Sequence, residues 1–439
     1  DRVARAGRGH GAGPFPAEGA PVTRVLVFST LYPNAAQPNH GVFVENRLRA
    51  TLAEGNLEAT IVAPAPYFPF RSRIFGRYAT AARTPREETR HGLSVHHPRY
   101  PVVPKVGARW APGALYRAAL REVRRLQAAG RGFDLIDAHY AYPDGVAAAR
   151  LGQALRLPVV ITGRGTDLTL IPQDVRARRE IVWAAHEAAA FVTVCEDLRR
   201  RLLALGGPPE RALVLRNGVD LALFRPCDRE RARDAMGIEG FTLVSVGSLI
   251  PRKGHHLVID ALAQLTDCRL VIAGGGPQRA ELEAHARRVG VAGRVRFLGD
   301  TPHSELPRLY AAADVAVLAS SREGWANVLL EAMACGTPVV ATDVNGAREV
   351  VRCASAGLLM HERSPGGLVE TLARLRARMP ARAATRRYAE QFGWEPIGQA
   401  NAALLAAVGA AGYEGRHAEG LLDPVRSLAS PAARSTADL

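Results

Sequence analysis

The chain has 439 residues, 47% apolar and 23% charged, which is ordinary for a globular protein and enough for two domains that each bury a core. Its formal charge of +15 and isoelectric point near 10.3 suit an anionic partner, yet no zinc-finger, helix-turn-helix or aromatic-basic RNA pattern accompanies them. Nucleic acid is therefore not an expected partner, no apolar run reaches the length of a membrane-spanning helix, and the remaining readings are an anionic membrane surface or the Arg-rich composition of a GC-rich genome.

Residues 1–20 lack the apolar segment of a secretory signal and read as a disordered tail. The sequence starts at Asp1 rather than Met, which leaves room for an upstream segment. From there short apolar runs alternate with helical stretches, the pattern of doubly wound α/β domains. In a first domain over 21–225, strands are expected at Val25–Phe28, Ala59–Ala63, Leu135–Ala138, Val159–Thr162, Phe191–Val194 and Leu213–Leu215. Gly41, in NHGVFVENRLRATL, would open a helix whose first N–H groups can meet a diphosphate, or would simply be a glycine turn. Pro64–Pro112 is irregular and rich in Pro and Arg; with Arg71, Arg73, Arg77, Arg99, Phe68, Phe70 and Tyr100 it is the expected acceptor-facing element.

His139 ends the strand of DLIDAHYAYPDG at its C-terminal lip, where doubly wound sheets bind ligands, although a lone histidine is as often structural. In RNGVDLALFRP the Asn217-Gly218 pair signals a turn and carries no mechanism by itself. A linker is expected near Arg225–Gly240, interrupted by Pro226 and charged residues.

A second domain over 226–385 has expected strands at Thr242–Val246, Arg269–Ala273, Val295–Phe297, Val315–Leu318 and Val339–Ala341. Arg252 and Lys253 follow the first of these and could neutralise a leaving diphosphate, or could be a solvated basic turn. Gly274 and Gly276 give G-x-G, but Arg279 stands in place of the third glycine of a dinucleotide fingerprint. In EGWANVLLEAMACGTPVVAT a helix from Asn327 would aim the N–H groups of Asn327, Val328 and their neighbours at an anion. Glu323 would lie before this helix and Glu331 one turn inside it, flanking a phosphate so that one acid meets sugar hydroxyls and the other the ribose. The segment 386–408 reads as a helix that crosses back to the first domain, and 415–439 as a second disordered tail. Five cysteines without C-x-x-C spacing fit reduced thiols in a cytoplasm, and His96-His97 and His255-His256 have no ligand partners nearby, so no metal site is expected.

The Glu323–Glu331 block resembles the E-x7-E segment of the retaining GT-B glycosyltransferases of family 4. VGSLIPRKG is similar to the family's G-R-L…K-G element, with Ser248 where arginine is usual. IAGGGPQ, RNGVDLALFRP and TGRGTDL match further segments in order, Arg164 replacing the usual histidine of the last. The resemblance spans about 23–408 and implies two Rossmann-like domains facing across a cleft, and transfer of a sugar from a nucleoside-diphosphate sugar to an acceptor hydroxyl with retention. It implies no metal or other cofactor, His139 and Glu323 beside the reacting sugar, and donor contacts from Gly41, Arg252, Lys253, Asn327, Val328 and Glu331. The acceptor is expected to be a sugar, a lipid-linked or a polysaccharide acceptor at the inner face of the plasma membrane. An epimerase of the same fold and a non-catalytic nucleotide-sugar-binding partner are the rival readings. A phosphorylase would need a pyridoxal-phosphate lysine that no segment suggests.

Overall fold

The computed structural model describes residues 22–70, 72, 74, 76–102 and 109–429. The expected tail over 1–20, and Arg71 and Arg73 of the acceptor-facing element, lie outside them. The first half contains β1 (Thr23–Phe28), β2 (Leu57–Val62), β3 (Ala65–Tyr67), β4 (Glu87–Arg90), β5 (Leu93–His96), β6 (Arg99–Pro101), β7 (Leu135–His139), β8 (Val159–Gly163), β9 (Ala190–Thr193) and β10 (Ala212–Val214). Eight of these form one sheet in the order β10-β9-β8-β7-β1-β2-β5-β4, while β3 and β6 pair separately. The second half contains β11 (Phe241–Val246), β12 (Cys268–Ala273), β13 (Val295–Gly299), β14 (Val315–Leu318), β15 (Val339–Thr342) and β16 (Gly357–Met360), ordered β13-β12-β11-β14-β15-β16. All pairs in the second sheet are parallel. The central strands are buried on both faces, because helices cover each sheet from both sides; β14 is wholly apolar, while β7 ends in the polar Asp137 and His139.

Four of the five strands without a counterpart in the sequence reading lie in Pro64–Pro112. There β5 joins β2 and β4 adds antiparallel to β5, so residues 87–96 widen the sheet rather than forming an irregular loop. The fifth, β16, is an edge strand of four residues, too short for its pattern to stand out.

The expected linker holds a helix, Arg229–Met236, opened by the Asp228 carboxylate at the Arg231 N–H. Its charges are partners rather than breakers: Arg229 and Arg233 both pair with Asp314 before β14. The return crossover also falls later than 386. Helix Arg382–Glu390 stays on the second domain, with Arg382 on the Ala313 and Ala311 carbonyls and the Tyr388 hydroxyl on that of Val350.

Helix Trp394–Gly415 packs on the first domain, burying Leu404, Leu405 and Val408 against Val25, Val27 and Leu48. The expected tail from 415 is ordered as far as Ala429: helix Asp423–Ala429 follows, and Leu422 and Val425 bury into the same cluster. Two apolar anchors outweigh the polar composition that suggested disorder. Residues 430–439 lie outside the described part.

Candidate active site

The order of the parallel strands reverses between β1 and β7 in the first sheet and between β11 and β14 in the second. The crevice beyond the C-terminal ends of such strands is where doubly wound sheets bind ligands. The expected site residues collect at these two points.

At the second, the loop after β11 carries Arg252 and Lys253 and the loop after β14 carries Glu323. Lys253 Nζ lies 2.8 Å from Glu323 Oε1, and Arg252 Nη1 lies 3.2 Å from Oε2 and 2.9 Å from the Arg322 carbonyl. Burial alone would raise the Glu323 carboxyl, but the two cations outweigh it and hold the group below its ordinary value. Helix Asn327–Ala334 begins four residues later without a side-chain cap. Glu331 sits inside it with both oxygens engaged: His303 Nε2 at 3.1 Å and the Tyr310 hydroxyl at 3.2 Å. Burial pushes His303 down, but its bond to Glu331 more than offsets this and raises it. His303 and Tyr310 carried no signal in the sequence, since they reach Glu331 only through packing of other elements.

At the first, Gly41 caps helix Val42–Ala53 in a left-handed conformation (φ 73°), and a Cβ there would run into the Leu31 carbonyl. The chain's own backbone thus accounts for this glycine. Asp144 ties the two loops of the crevice together, accepting from the N–H and hydroxyl of Thr30, and burial pushes it up to about 7. His139 is 1% exposed, and both ring nitrogens are engaged, Nδ1 with Arg164 Nη2 at 2.9 Å and Nε2 with Asp137 Oδ2 at 3.4 Å. Burial, and after it Arg164, lower its pKa against the pull of Asp137. Asp167 accepts from the N–H groups of Ala141, Arg164 and Gly165, and so shapes the loop that presents Arg164. Arg164, whose place in the sequence suggested only a departure, therefore holds the histidine.

The two halves touch across the crevice. A Cβ on Gly324 would collide with the Arg164 carbonyl, so glycine is what lets the Glu323 loop meet the first domain. Further along, Glu349 accepts from the N–H of Glu196 (2.7 Å) and pairs with Arg216 (2.7 Å). Among the described residues, Glu87, His96 and Glu122 form a group with metal-ligand spacing, but Arg125 Nη2 already lies at 2.5 Å from Glu87 and 2.6 Å from Glu122. No helix among the described residues is long and apolar enough to cross a membrane.

Two α/β domains with facing crevices, a buried acid bound by two cations beside an uncapped helix N-terminus, define a GT-B protein. Comparison with known proteins agrees. Residues 41–223 match Glycosyltransferase Family 4 and residues 228–392 match Glycosyl transferases group 1. D-inositol 3-phosphate glycosyltransferase 1 of Catenulispora acidiphila is 30% identical over 406 residues, covering 84% of this chain and 92% of that protein. The putative teichuronic acid biosynthesis glycosyltransferase TuaC of Bacillus subtilis is 28% identical over 358 residues, covering 80% and 88%. Among solved structures, sucrose-phosphate synthase from Thermosynechococcus elongatus superposes with a TM-score of 0.73 at 21% identity (89% of this chain, 99% of that one). HepE of Anabaena, solved in complex with UDP and glucose, superposes with a TM-score of 0.67 at 22% identity (88% and 99%). The chain belongs to glycosyltransferase family 4, and it is a glycosyltransferase with the GT-B fold.

Proposed function

We propose that the chain moves a sugar from a nucleoside-diphosphate sugar to an acceptor hydroxyl, with retention at the anomeric carbon and without a metal ion. The observation that carries this reading is the Glu323–Lys253–Arg252 cluster beside the N-terminus of helix Asn327–Ala334. Two cations and the positive end of this helix, with the Val328 N–H in its first turn, supply the counter-charge a diphosphate needs as it leaves; the Asn327 N–H, expected to share in this, donates to the Trp325 carbonyl at 3.1 Å instead. Glu323 is then released to the hydroxyls of the transferred sugar, and Glu331 is placed for the ribose. The first-domain crevice, with His139, faces the sugar and the acceptor, and Gly41 opens its helix towards the donor diphosphate. No side chain is assigned as general base. The complex of HepE with UDP and glucose favours a nucleotide-sugar donor.

A lipid-linked or polysaccharide acceptor at an anionic membrane face fits the excess charge of +15 and the exposure of Tyr67 (59%), Ile74 (84%) and Trp110 (55%) in one segment. The names of the teichuronic-acid and inositol-phosphate relatives point to anionic products or acceptors as well. A thermal-shift screen against UDP-, GDP- and ADP-sugars, followed by nucleotide release with and without acceptor, tests the donor. No stabilisation and no release with any of them would refute it. Flotation with anionic liposomes at low and high salt tests the membrane face, and absence of binding at low salt would remove it.

A further inference from the structure

The RNGV segment had no mechanism in the sequence, and it lies where the chain passes between the two sheets. Arg216 pairs with Glu349 of the second domain, its guanidinium 5.9 Å from the Trp325 ring centre. Gly218 packs so closely on Trp394 that a Cβ would overlap it, and the Val219 N–H donates to the Phe392 carbonyl at 2.8 Å. Between them Asn217 is 4% exposed, and both ends of its carboxamide are hydrogen-bonded. Its Oδ1 accepts from Arg47 Nη2 at 3.1 Å and from Arg164 Nη1 at 3.0 Å. Two guanidinium donors require the oxygen on that side, so Nδ2 faces Asn327 Oδ1 of the second domain, at 3.2 Å.

Arg164 also donates to His139 Nδ1 at 2.9 Å. A guanidinium has no lone pair to offer, so Nδ1 is the acceptor and the ring proton sits on Nε2, towards Asp137. A continuous chain of hydrogen bonds therefore runs from His139 through Arg164 and Asn217 to the first residue of the helix Asn327–Ala334, with Asp137 Oδ2 3.4 Å from the histidine's Nε2.

We propose that Asn217 is a positioning residue for the transfer reaction, setting the first-domain histidine against the second-domain helix N-terminus across the cleft. It touches no substrate. Its side chain offers an acceptor to one domain and a donor to the other, which neither Asp nor Ala can do. The inference rests on the donor reading of that helix, and its test separates the two.

The full chain is compared with N217A, N217D, N327A and N217A/N327A for binding of UDP, GDP and ADP, for sugar-nucleotide turnover and for melting temperature. N217D keeps the acceptor for both arginines but cannot donate to Asn327. It is expected to fold and to bind nucleoside diphosphate as the wild type does, while kcat falls by about 10²-fold, the scale of a small misplacement of reacting groups. The double variant should be no slower than the slower single one, because both remove the same bond. Wild-type kcat in a folded N217A, losses that multiply in the double variant, or a loss confined to KM would each overturn the proposal. If the wild type turns over no sugar nucleotide, the donor reading fails instead. The melting-temperature cycle then still reads the Asn217–Asn327 bond, and additive shifts would overturn it.

Discussion

Replacing Glu323 by Gln should strengthen binding of a bare nucleoside diphosphate while abolishing most turnover. The Glu323 side chain is 8% exposed and holds Lys253 (13%) and Arg252 (25%) as counter-ion. A diphosphate that uses these cations has to displace the carboxylate first. The amide has the same shape and keeps one acceptor oxygen, but releases the charge. A charge-assisted hydrogen bond is worth about 1.5–3 kcal/mol, so the affinity gain should be on the order of 10- to 100-fold. The same bond is lost to the fold, so stability should fall by a similar amount near neutral pH. Because the folded carboxyl is held below its ordinary value, that stability is present above the ordinary carboxylate range and lost as pH falls through the folded value. The variant and wild type should therefore converge in acid. Turnover should drop by about 10²–10³-fold if the carboxylate stabilises the reacting sugar. Calorimetry with UDP, GDP and ADP, with denaturant titration at neutral and acid pH, gives both readings. Unchanged or weaker binding of all three diphosphates, with the fold intact, would refute the exchange of Glu323 for phosphate.

Lys253→Ala should lower turnover by about 10²–10³-fold and more than Arg252→Lys, since Lys253 is the more buried cation; equal small effects in steady-state kinetics would reduce the loop to a basic turn. Glu331→Ala removes the partner of His303 and Tyr310 and should weaken nucleotide binding by about 1.5–3 kcal/mol, which unchanged calorimetric affinity would contradict. Gly324→Ala places a methyl against the Arg164 carbonyl, so kcat should fall through a widened cleft while nucleotide affinity holds; wild-type kcat would show that the contact does not matter to turnover. Asp144, raised to about 7 by burial, retains a proton that the unfolded chain gives up near pH 4, so its contribution falls as pH rises between those values. Asp144→Asn should therefore gain on wild type between pH 5 and pH 8, by a few kcal/mol at most, and a pH-independent difference in urea midpoints would exclude the shift.

Local pattern determined much of this protein. Continuous apolar runs such as Val25–Phe28 and Val315–Leu318 specify buried parallel strands by themselves, because both faces must be apolar. The glycine and proline after Ala334 end the helix that carries Glu331, and the basic pair at 252–253 stands after a strand. These are features of neighbouring residues, legible without the fold. The strands at 87–101 were not, since an added edge draws its pairing from β2 and β5 rather than from its own alternation. Ordering of 415–429 was hidden for a related reason: Leu422 and Val425 anchor a polar segment only once the first-domain core exists.

The site divides in the same way. Glu323 and Lys253 are separated by 70 positions, His139 and Arg164 by 25, and Asn217 and Asn327 by 110. Residue type suggested what each could do, but their partners are chosen by which strand ends meet at the two reversals of sheet order. Hydrogen bonding depends on distances of about 3 Å, and only tertiary structure brings residues so far apart in sequence to that range. Residue types therefore carried the chemistry of the cleft, and packing decided that Arg164 holds the histidine and that Asn217 joins it to helix Asn327–Ala334.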